Sequence, residues 1–118
     1  HRPWDWGGRG RQVQVLEDLA ARVPPGAALA TSPSGTGLVA ERSTLVELPP
    51  TPVDLTPTRL AALVEPVDWV LLDASVPDPA TGEPVWRPDD VTAVLRSLDR
   101  AGFTEVDRSR QIILLRRT

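Results

Sequence analysis

Few side chains in this sequence of 118 residues are equipped for chemistry. Cysteine is absent, which excludes thiolate catalysis, a disulfide framework and cysteine-ligated zinc. The one histidine is His1, at a chain end where order is poorest, which argues against imidazole base catalysis and multi-histidine metal sites. All thirteen basic residues are arginine, so there is neither a phosphate-loop lysine nor a Schiff-base amine. Hydroxyls and carboxylates remain.

The hydroxyls gather in Ser32-Pro33-Ser34-Gly35-Thr36-Gly37, a small-residue loop whose N–H and hydroxyl groups would hold an anion. It carries one G-x-G, without the third glycine of a dinucleotide fingerprint or the Lys-Ser/Thr of a P-loop. Small residues in such a turn also serve simply to satisfy the backbone. The best-placed carboxylate is Asp73, which ends the clearest apolar strand, Asp68-Trp69-Val70-Leu71-Leu72-Asp73. With Asp78, Asp89 and Asp90 it would offer oxygen ligands to a hard cation. Asp89 and Asp90 are better explained by the first turn of a helix, where acids suit the dipole, and Asp78 by a proline-rich loop. The candidate ligand-binding residues are therefore Ser34 and Thr36, to grip an anion, and Asp73, to accept from a hydroxyl. No catalytic residue, metal site or cofactor is assigned.

The elements that must position these residues follow from periodicity. Leu16, Leu19, Ala20 and Val23 recur at i, i+3, i+4 and i+7, which predicts a helix over 11–23 stopped by Pro24-Pro25-Gly26. Strands are expected over 27–31 and 44–48, with a single helical turn near 37–41 between them. Thr56 as cap and Pro57 at the first helical position predict a second helix over 57–65, with Leu60, Leu63 and Val64 inward. The strand at 68–73 is followed by a proline-rich loop over 74–87. A third helix over 88–101 follows, with Val91, Val94, Leu95 and Leu98 inward and Gly102 as its C-terminal cap. Strands over 103–107 and 111–116 are too close for a crossover and must form an antiparallel hairpin.

Alternating helices and strands predict an α/β fold, a small Rossmann-like three-layer sandwich. Its sheet is expected to have five strands, to be mainly parallel, and to run in the order 2-1-3-5-4. Strand 5 is expected to be antiparallel and internal, because Ile112-Ile113-Leu114-Leu115 is apolar on both faces. Ligands in such sheets bind beyond the carboxyl ends of the strands where the order reverses, here between strands 1 and 3. Residues 1–10, with Gly7, Gly8 and Gly10, read as a linker or juxtamembrane leader, and 11–118 as a single domain.

Surface composition narrows the partners. The net charge of −3 gives no general attraction to nucleic acid. Acids concentrate between Glu65 and Asp90, and arginines (Arg108, Arg110, Arg116, Arg117) at the end of the chain. That split reads as a solvated surface, with an anionic surface as the alternative for the arginines. Trp4 and Trp6 in the leader would suit a membrane interface, a sugar ring or the domain's own surface. No apolar run approaches the length of a membrane span.

Three segments carry a resemblance: "VPPGAALATSPSGTGLVAERSTLVELP", "VDWVLLDAS" and "LRSLDRAGFTEVDRSRQIILLRR". Over residues 23–118 the chain resembles the soluble C-terminal part of certain polytopic bacterial membrane proteins of unknown function. Their membrane portion is similar to that of multi-spanning (GT-C-like) glycosyltransferases. The shared pattern is a proline-glycine turn before a strand, a short segment ending in Glu41-Arg42, a strand closed by proline, a D-hydrophobic-D strand and an arginine-rich hairpin. The segment "AGFTEV…IILL" is also similar to the last helix and hairpin of S-adenosylmethionine-dependent methyltransferases, although this chain lacks their glycine-rich cofactor loop and is much shorter.

The resemblance implies a non-catalytic domain on the extracytoplasmic side of the cell membrane, attached to a membrane-embedded part of the same protein. Such a domain would serve substrate, glycan, lipid-linked-sugar or protein binding. The start at His1 without a methionine fits a longer chain. The alternative is a small-molecule or nucleotide-binding α/β domain with its own transferase activity, using the Ser32–Gly37 loop and Asp73.

Overall fold

The computed structural model describes residues 7–118 apart from 25, 34–43, 76 and 79, with side chains from Gln14 onward. Among them are three α-helices, α1 (Gly7–Ala20), α2 (Pro57–Val64) and α3 (Pro88–Arg100). The strands are β1 (Leu29–Thr31), β2 (Leu45–Glu47), β3 (Trp69–Asp73), β4 (Phe103–Ser109) and β5 (Ile112–Arg117). They form one sheet in the expected order, β2-β1-β3-β5-β4. β1 pairs in parallel with β2 and β3, while β5 pairs antiparallel with β3 and β4. The sheet is thus mixed rather than mainly parallel. Inserting β5 between β3 and β4 replaces one parallel neighbour pair by two antiparallel ones.

Strand alternation divides the core between two faces. Leu29, Leu71, Ile112 and Leu114 point to one side and pack against Leu16, Leu19, Ala20 and Val23 from α1 and its end. Ala30, Val70, Leu72, Ile113 and Leu115 point to the other and meet Leu60 and Val64 of α2, and Val94 and Leu98 of α3. β3 and β5 are covered on both faces, which is why each reads as a continuous apolar run.

The boundaries that differ most from expectation are those of the first helix, which also ends at Ala20 and not at 23, and of the final hairpin; other ends differ by one or two residues. The first helix begins at Gly7 instead of residue 11, so residues 7–10 are helical. Glycine costs a helix about 1 kcal/mol relative to alanine. Once nucleated over its apolar stripe, however, the helix gains one hydrogen bond per added residue. The final hairpin is tighter and longer than expected, because Arg110 and Gln111 alone turn the chain, both at positive φ (52° and 68°). β4 and β5 therefore extend to a Ser109–Ile112 pair. The expected helical turn near 37–41 lies outside the described residues, as do Trp4 and Trp6.

Candidate functional site

β1 and β3 lie side by side with their carboxyl ends together, so Ser32 and Asp73 meet where the strand order reverses. The backbone N–H of Asp73 donates to Ser32 Oγ at 2.9 Å, and the N–H of Ser32 donates to the Leu71 carbonyl. Both residues are buried, with Asp73 only 1% exposed. Its carboxylate Oδ1 accepts the backbone N–H of Ser75 at 2.9 Å and the Ser75 hydroxyl as well. This is an Asx turn, a carboxylate holding the backbone two residues ahead. Just beyond it, the Ala74 N–H donates to the Gln111 carbonyl at the start of β5. Asp73 therefore fixes the exit of β3 into its long loop.

Ser34 and Thr36 lie outside the described residues. The other acids have local duties. Asp78 Oδ1 accepts the Ala80 N–H inside its loop, and Asp90 Oδ2 accepts the Arg87 N–H at the start of α3. Among the described residues no three carboxylate or histidine groups stand together where they would hold a metal ion.

Among the described residues the 74–87 loop carries an isolated β-bridge between Pro77 and Pro84, and the Asp78 N–H donates to the Glu83 carbonyl within it. Trp86 is 3% exposed, and its indole Nε1–H donates to the Pro50 carbonyl at 3.0 Å. That contact pins the loop against the segment between β2 and α2. It leaves a slot of about 290 Å³ between α3 and the β4–β5 hairpin. Val91, Leu95, Ile113 and the edge of Trp86 supply its apolar surface, while Thr92, Arg108 and Gln111 supply the polar groups. Trp86, Pro88 and Gln111 also border a wider, open hollow of about 740 Å³.

In the sequence Val91 and Leu95 read only as the inward face of a helix and Arg108 only as part of an arginine-rich end. The one signal for them was the arginine-glutamine pair at the hairpin turn, where Asn-Gly would be ordinary. Comparison of the chain with known protein families, with curated proteins and with solved structures finds no match.

Proposed function

We propose that this chain is a non-catalytic binding domain, carried on the extracytoplasmic side of the cell membrane by a membrane-embedded part of the same protein. The larger protein is read as glycosyltransferase-like. The domain's role is to engage substrate, a glycan or lipid-linked sugar, or a neighbouring protein, and not nucleic acid. The sheet order and the helices on both faces support reading the fold as a small Rossmann-like three-layer sandwich.

The observation that carries the non-catalytic part is the setting of Asp73. A carboxylate that is to act on a substrate must present an oxygen to it. Here the side chain is buried and takes part in holding its own loop. The membrane placement rests on the resemblance of residues 23–118. Reading the gene upstream of His1 tests it. Several apolar stretches of about 20 residues are expected; their absence would remove the tether and with it this reading.

The second reading, a small-molecule or nucleotide site with its own transferase activity, is favoured by the meeting of Ser32 and Asp73 at the strand reversal. It requires Asp73→Ala to abolish ligand binding while the domain stays as stable as before. The reading we prefer requires the opposite, a loss of stability.

A further inference from the structure

We infer that the slot between α3 and the β4–β5 hairpin is a binding site for a small carboxylate with an apolar body. It lies at the edge where β3 ends and β5 begins, on the side of the sheet where α/β folds take ligands, but beside β5 and not at the β1–β3 reversal. Its volume stands near the lower end for small-molecule pockets. Val91 and Leu95 of α3 are only partly buried, because the slot separates them from full contact with the sheet. An apolar body would complete that contact.

The polar groups choose the head. No carboxylate lines the slot, and its one charged group is the Arg108 guanidinium. Arg108 donates from Nε and Nη2 to Glu105 Oε1, which leaves Nη1 without a partner among the described residues. Thr92 donates its hydroxyl to the Pro88 carbonyl, and the Gln111 amide has no partner among the described residues. Pro88, at the start of α3, borders the same space without a donor of its own. A carboxylate would accept from the Arg108 Nη1 and from the Gln111 amide together.

An independent observation bears on Gln111. Both turn residues are held at positive φ, which Asn-Gly adopts readily and Arg-Gln does not. Backbone strain retained at a residue that borders a cavity is characteristic of functional positions. Gln111 borders the slot and Arg110 does not, so the two can be separated by experiment.

The test is an amide-resolved NMR titration of the intact chain with phenylacetate, and with phenylethanol and phenylethylamine as matched bodies with other heads. Phenylacetate should shift amides at 86–95 and 108–113 and bind about tenfold tighter than the other two, the scale of a charge-assisted hydrogen bond. Gln111→Gly should raise the melting temperature by about 4 °C yet weaken phenylacetate about tenfold or more. Arg110→Asn should also raise the melting temperature while leaving binding unchanged. Equal affinity for all three heads, shifts confined to the Ser32–Asp73 region, no shifts with phenylacetate, or full binding by Gln111→Gly would each overturn the assignment. The site is argued independently of the membrane tether and stands or falls without it.

Discussion

Asp73 carries a structural duty that its place at the end of an apolar strand does not reveal. Replacing it by alanine removes the two hydrogen bonds that the Ser75 N–H and hydroxyl donate to its carboxylate in a partly buried position. We expect a loss of about 1–3 kcal/mol, read by urea denaturation, with Asp73→Asn milder because its amide oxygen still accepts. A variant as stable as the parent would restore Asp73 as a candidate for ligand contact. Arg110 and Gln111 present the reverse case. Changing the pair to Asn-Gly should stabilise the hairpin by about 1–2 kcal/mol, since each left-handed L-residue costs about that order. Unchanged stability in the double variant would mean that the turn is not strained.

At the level of elements, the hairpin is held by its far end as well as by its turn. The Arg117 guanidinium donates to the carbonyls of Val64, Glu65 and Val67 after α2, and to that of Ala101 after α3. It also lies 4.5 Å from the centroid of the Phe103 ring. One side chain thereby satisfies carbonyls at the ends of two helices and ties both to the end of β5. Arg117→Ala should cost about 2–3 kcal/mol by denaturation, and Arg117→Lys nearly as much, because an ammonium lacks the planar fork. A fully tolerated lysine would contradict this role. Arg22–Asp107 and Arg108–Glu105 are exposed pairs by contrast, and deleting either should change stability by less than about 1 kcal/mol.

The same elements explain what could be read in advance. The short gap after Phe103–Asp107 forces a hairpin, and Ile112 to Leu115 is apolar on both faces, so β5 had to be internal. These two facts place β5 between β4 and one further strand of the sheet. Pro57, Thr56 and Gly102 are local signals, and each acts where it was expected: Thr56 accepts the Arg59 N–H, and Gly102 takes φ 97° after α3. Long-range partners of polar side chains leave no such mark. Arg117 contacts backbone carbonyls that any residues would supply. Asp73 looks the same in sequence whether its carboxylate faces a ligand or its own loop. The slot depends on how far α3 stands from β5, a distance that no periodicity encodes.

For the whole molecule, both apolar layers share one sheet, so neither can melt while the other stays. Trp86 in one layer, Trp69 against the other and the helices on both faces should report a single cooperative transition, by fluorescence and circular dichroism alike. Non-coincident curves would mean that α1 and its layer unfold separately. The absence of cysteine makes the side of the membrane on which this domain sits measurable. Thr58 is exposed on α2, so Thr58→Cys in the full-length protein offers one thiol within this domain to a membrane-impermeant maleimide, with the unsubstituted protein as background. Our account predicts labelling of intact cells equal to that of permeabilised ones. Labelling that appears only after the membrane is opened would place the domain inside the cell and contradict the account.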